Sequence, residues 1–200
     1  MGAESGWAAG PRRPPAQIVF EGCPSIGQGG DPDLNLLKNR VDSPESANSV
    51  SVEDNLRIKA TASRRHRATW TAQELQSIRR YEGTPIQVEG YLTGVKQERG
   101  ESPNCGRTEA SQVDYHLNLV ARPDDDKSKS VVVEMTPRIR KDHDEAEWTI
   151  RGLREIATAK TRVRVTGWLM FDQVHEGSEG NSRGTLWEIH PITAFETVQP

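Results

Sequence analysis

His116, Glu134 and His190 are the residues of this chain best suited to chemistry. Each is a polar side chain set in an apolar run: His116 in VDYHLNLVA (113–121), Glu134 in SVVVEMT (130–136), His190 in the closing segment 184–198. Two imidazoles and a carboxylate on a rigid sheet can bind a divalent metal such as Zn²⁺ or Fe²⁺ and leave positions open for water or substrate. The same three can act without a metal. A glutamate can orient a histidine as general base, or pair with it only to satisfy a buried polar group. Asp114, Asp172, His175 and Glu188 lie near enough in sequence to serve as outer hydrogen-bond partners of the three.

Whether the three meet depends on the strands that carry them. Over residues 114–119, Tyr115, Leu117 and Leu119 take one face, and Asp114, His116 and Asn118 the other. Val131, Val133 and Met135 oppose Val132, Glu134 and Thr136, and Glu188 shares a face with His190. The order of predicted elements is strand (85–96), strand (113–121), strand (130–136), helix from Thr149 to about Lys160, strand (162–172) and strand (184–198). Gly90 and Gly94 sit where the first strand must bend. A helix between the third and fourth of five strands predicts a mainly β fold, a five-stranded OB-like β-barrel. Such a barrel pairs strand one with two, two with three, three with five and five with four. Neighbours lie about 4.8 Å apart, which puts His116, Glu134 and His190 in one row. A slip of one residue would send them to the other face.

The barrel domain spans 84–198. Residues 1–83 read as an N-terminal arm, a linker and two short helices. Asp31 opens the first helix, with Leu34, Leu36 and Leu37 behind it. Thr71-Ala-Gln-Glu74 is a capping-box spelling that opens the second, to about Tyr81. Residues 41–55 read as linker and 137–148 as a charged loop, and 1–16 and 41–55 are expected to be mobile.

Bulk composition narrows the function classes. Of 200 residues, 34% are hydrophobic, and the mean hydropathy is -0.73, which fits an ordered domain with polar flanks. Residues 1–84 hold 11 Lys/Arg against 10 Asp/Glu and residues 85–200 hold 15 against 19, within a net charge of -3. Neither half has the basic excess of a nucleic-acid module, so any nucleic-acid binding is weak. Arg64, Arg65 and Arg67 form a basic cluster before Trp70 that is either a phosphate contact or a solvated lead-in to a helix. Trp168 and Trp187 either stack bases or pack beneath the flanking arm. No apolar run approaches the ~18 residues of a membrane span, and no apolar stretch follows Arg12 and Arg13 as in a secretory signal. A cytoplasmic protein follows, with Cys23 and Cys105 as reduced thiols.

Several segments together resemble a family of bacterial OB-like proteins of about this size that has no assigned activity. They are GCPSIGQGGDPDLNLLKNR (22–40), RRHRATW (64–70), DYHLNLV (114–120), VVVEMTPR (131–138), VRVTGWLMFD (163–172) and GTLWEIHPIT (184–193). The closing GTLWEIHP is the most specific. A wider bacterial set shares D-x-H-L, a Glu-bearing strand and E-x-H-P, matched here by Asp114, His116, Leu117, Glu134, Glu188, His190 and Pro191. Relatives carry Cys-x-Cys-His where this chain has Pro103-Asn104-Cys105-Gly106, so the resemblance implies no cysteine metal site here. Two functions remain: an OB-fold binding or scaffold module for an oligonucleotide, small molecule or protein, and a metal-dependent hydrolase or nuclease centred on His116, Glu134 and His190. No Walker loop, serine elbow or HExxH spelling favours the enzyme.

Overall fold

The computed structural model describes residues 15, 17–59, 62 and 66–199. The N-terminal part carries β1 (Val19–Phe20) paired with β2 (Cys23–Pro24), then α1 (Pro32–Lys38), β3 (Asn48–Val50), α2 (Val52–Leu56) and α3 (Ala72–Arg79). The C-terminal part runs β4 (Pro85–Glu98), β5 (Asp114–Val120), β6 (Val131–Met135), α4 (Pro137–Arg140), α5 (Ile150–Ala159), β7 (Arg162–Phe171) and β8 (Trp187–Thr197).

Six strands form one sheet in the order β3-β4-β5-β6-β8-β7, and β4 also pairs with β7, so the hydrogen bonding closes into a ring. The long β4 makes closure possible by changing partners at Tyr91. Residues 85–91 pair with β7 and 91–98 with β5. Gly90 sits beside that change of partner because a methyl group there would lie 2.5 Å from the Val120 carbonyl oxygen. Inward side chains fill the ring: Ile86, Val88, Leu117, Leu119, Val131, Val133, Met135, Val163, Val165, Leu169 and Ile189 are all buried. This is the alternation expected of strands with one face on a core. α5 adds Leu153 to that core, its first turn capped by the Thr149 hydroxyl accepting from Gly152 N–H.

Three expectations need correction. Residues 41–55 are not a linker. β3 pairs in parallel with Ile86–Val88 of β4, and α2 opens on a reciprocal capping box between Ser51 and Asp54. Ser51-Val52-Glu53-Asp54 has the spelling that produces this, and buried Val52 ties the turn to the core. Residues 137–148 are not an open charged loop. They hold α4 and bury Arg138, Arg140 and Trp148. The cysteines are not free thiols: Cys23 and Cys105 form a disulfide that joins β2 to the β4–β5 loop. Residues 1–14 of the expected arm lie outside the described residues. Among the described residues, no helix is long and apolar enough to cross a membrane.

Candidate functional site

The outer face of β5, β6 and β8 is where the polar residues of the apolar strands collect. His116 stands opposite Glu134 across β5–β6. The parallel β6–β8 register pairs Val132 with Glu188 and Val133 with Ile189, which brings His190 beside Glu134. His116 Nδ1 lies 2.8 Å from Glu134 Oε1, and His190 Nδ1 lies 3.3 Å from Glu134 Oε2. One carboxylate therefore stands between two imidazoles.

An outer sheet face usually meets water, but this one does not. Asp114, His116, Glu134, Glu188 and His190 are all at most 5% exposed. Three segments roof the face: α1, the β4–β5 loop and the β7–β8 loop. α1 contributes Lys38, whose Nζ lies 3.4 Å from Asp172 Oδ2. The β7–β8 loop contributes Arg183, 2.5 Å from Glu188 Oε1, and Asp172 itself accepts from His175 Nδ1 at 2.7 Å. Glu101 and Asn104 enter from the β4–β5 loop.

The roof is pinned by hydrogen bonds to backbone as well as by the disulfide. Asn39 Nδ2 donates to Ser25 O at 2.9 Å and to Pro103 O at 2.8 Å. Arg138 reaches up from α4 to donate to Cys23 O and Pro24 O, both at 3.1 Å. Asn118 Nδ2 donates to Ser182 O at 3.1 Å.

Burial and charge pull against each other in this pocket. Burial works against the Lys38 ammonium, but Asp172, Glu188, Glu101 and Glu134 together outweigh it and hold its pKa well above that of an ordinary lysine. Burial would likewise raise Asp172 and Glu134. Lys38, His175 and Arg183 hold Asp172 well below the usual carboxylate range, and His190 and His116 do the same for Glu134. Asp114 goes the other way: burial pushes it up, and His190 and Asn104 offset only part of that. Glu101 is pushed up to about 8, mainly by burial, with Glu134 and Asp114 adding to the effect.

The expected site residues are thus partly regrouped. Glu134 and His190 stay together, and the third donor gathered with them is Asp114. One ligand atom from each of these three lies within 4.8 Å of the others. His116 bonds Glu134 from the side. Asp172, His175 and Glu188 form a second such group, served by Lys38 and Arg183. Lys38, Arg183, Glu101 and Asn104 were not foreseen. They approach from loops and a short helix, where no periodicity marks an inward side chain.

The expected ligand-binding residues do not form an open surface. Trp187 is buried in the core against Tyr81 and Phe171. Trp168 lies under the Arg40 guanidinium, 3.4 Å from its ring centre, and donates to Asp42 O at 2.8 Å. Neither offers a free face for a base. Arg67 is buried and forked on Glu82 at 2.6 and 2.7 Å, so it is an internal ion pair and not a phosphate contact. Arg64 and Arg65 lie outside the described residues.

No protein-family model matches the chain, and no curated protein matches it. Among solved structures, a chain assigned as an aspartyl-tRNA synthetase from Leishmania major Friedlin aligns with 80% of this chain at 11% identity and a TM-score of 0.36. The alignment spans 22% of that synthetase chain. A structure of yeast Stn1 and Ten1 aligns with 92% of this chain and 78% of its own at 12% identity and a TM-score of 0.37. Neither likeness is close enough to assign a fold or an activity.

Proposed function

We propose that the chain is an OB-type binding or scaffold module whose sheet face is occupied by its own N-terminal segment. The pairing order supports an OB-type barrel. Taking β4 to β8 as strands one to five, with β7 as the fourth, the neighbours are one–two, two–three, three–five, five–four and four–one. A helix, α5, stands between the third and fourth. OB folds bind along the face of strands two and three, between the loops that follow strands one and four. In this chain those two loops and α1 cover that same face.

The observation that carries the choice between binding module and enzyme is this closure. Asp114, Glu134, Glu188 and His190 are 0–2% exposed. A hydrolase needs a path for substrate and an open position for water. With the roof in place, the described residues leave these side chains almost no contact with solvent. The cytoplasmic location expected from the lack of a signal segment and a membrane span carried with it reduced thiols, and the Cys23–Cys105 disulfide does not fit that part.

Two assays on the full-length chain test this. Hydrolysis of bis(p-nitrophenyl) phosphate with Zn²⁺, Mn²⁺ or Mg²⁺ is expected not to exceed the buffer rate. Anisotropy of a labelled single-stranded oligothymidylate is expected to show weak binding that fades with salt. Metal-dependent turnover removed by Glu134→Gln would overturn the proposal in favour of the hydrolase.

A further inference from the structure

The roofed face contains buried polar atoms that the described residues leave unanswered. Among the described residues, neither oxygen of Asp114, Oε2 of Glu134, Oε2 of Glu188, nor either ring nitrogen of His190 has an aligned hydrogen-bond partner. The residues are 0–2% exposed. Native proteins keep such atoms few, because a desolvated polar group without a partner is costly. Six of them in one pocket point to a missing occupant.

Charge indicates which kind. The acids around the pocket are mostly answered: Asp172 by Lys38, Glu188 by Arg183 through Oε1. The two carboxylates left facing each other across His190 are Asp114 and Glu134. One ligand atom from each of Asp114, Glu134 and His190 lies within 4.8 Å of the others. His190 turns Nδ1 to Glu134 Oε2 at 3.3 Å and Nε2 to Asp114 Oδ2 at 3.9 Å, so an ion shared by the three meets the imidazole through one of these nitrogens, and neither pair is aligned as a hydrogen bond. Ligand atoms held about 2.0–2.2 Å from a tetrahedral ion are themselves separated by roughly 3.5 Å.

We propose that Asp114, Glu134 and His190 bind a divalent first-row metal ion, with zinc the best fit, in a closed structural site. Two carboxylates, a neutral imidazole and a divalent cation sum to zero charge, which suits a dry pocket. An imidazole among the donors favours zinc over calcium or magnesium. His116, bonded to Glu134 Oε1, is then a positioning residue that aims Oε2 at the ion. This site does not depend on what the module binds.

The test is elemental analysis of the full-length chain purified without chelators, followed by stripping with EDTA and titration with ZnCl₂. About one equivalent of a first-row metal is expected as purified, with a lower melting temperature after stripping and recovery on adding ZnCl₂. Asp114→Asn and Glu134→Gln should each weaken zinc binding at least tenfold. His116→Gln should weaken it by about 10–100-fold, as loss of an outer partner does. Asp172→Asn, outside the three, should retain the metal. The wild-type comparison needs no variant to fold. Metal-free protein whose melting temperature ignores both EDTA and ZnCl₂ would overturn the proposal. So would a metal retained equally by Asp114→Asn and Glu134→Gln.

Discussion

Replacing Lys38 by methionine tests whether the roof is held by charge. Methionine keeps most of the length and apolar bulk of lysine and removes the ammonium. What it leaves is Asp172, whose side chain has 0% exposure and has lost a partner at 3.4 Å. Removing one partner of a buried ion pair costs about 3–5 kcal/mol. Asp172 still has His175 at 2.7 Å and Arg183 at 3.9 Å, so the cost falls below that range, to about 2–3 kcal/mol. In a chain of 200 residues that corresponds to a fall of roughly 5–10 °C in Tm. Urea unfolding at pH 7 of wild type, Lys38→Met, Asp172→Asn and the double variant closes a cycle. The coupling energy should exceed about 1 kcal/mol, because the residues share one network. The pH dependence has a definite sign. The folded-state pKa of Asp172 is depressed, so its stabilisation is present above the ordinary value of ~3.9 and is lost as pH falls through the folded value. The penalty of Lys38→Met should therefore shrink below about pH 4. A cost under about 0.5 kcal/mol with no coupling would show Lys38 to be an ordinary surface residue and would remove the basis for a sealed face.

Two further outcomes are expected. Thiol titration of the denatured chain without reductant should find no free thiol, and reduction should destabilise the protein. The bridge closes a separation of 82 residues, for which chain entropy sets an upper limit of about 4.5 kcal/mol; two titratable thiols in freshly purified protein would contradict the link. His175 has a raised folded pKa, chiefly from its hydrogen bond to Asp172, so its contribution is complete below the unfolded value of ~6.5 and is lost as pH rises through the folded value. Stability measured across that window should decline in wild type and flatten in His175→Gln, and parallel curves would show that His175 is not coupled to folding.

The sequence is most informative where one face of a strand meets a core. The alternation of Tyr115, Leu117 and Leu119 with Asp114, His116 and Asn118 places β5 and its faces correctly, and the run around Glu134 does the same for β6. Thr71 and Thr149 mark the starts of α3 and α5. Charged residues whose partners are far along the chain are the ones misjudged. Arg138 looks like a surface cation, yet it donates to Cys23 O across 115 residues. Arg67 reads as a solvated lead-in to a helix or a phosphate contact, yet it donates to Phe171 O across 104. Lys38 reads as a helix C-terminal cation that complements the dipole, and nothing local shows that Asp172 awaits it. Trp168 and Trp187 stay open between two readings for a related reason: an aromatic carries the same local signal whether it faces solvent or an arm that folds back.

The composition of the N-terminal segment explains why its docking has to be polar. Residues 22–40 bury Cys23 and Leu34 as apolar side chains, but also Ser25, Asp31, Asn35, Lys38, Asn39 and Arg40. A surface with so little apolar area cannot be held mainly by hydrophobic burial. Its adhesion comes from matched polar groups: Ser102 Oγ donating to Asn35 Oδ1, Asn39 Nδ2 to Pro103 O, and Lys38 to Asp172. Such contacts contribute little net energy each, but they are expensive to leave unmade once buried. They therefore fix the position of α1 more strongly than they bind it. The disulfide makes the arrangement work, because it keeps the segment beside the face whether or not the polar contacts alone would hold it there. The polar row on β5, β6 and β8 is thus buried by design of the chain's own partner surface. Its acids are matched to the cations of that surface one by one, until Asp114 and Glu134 are reached.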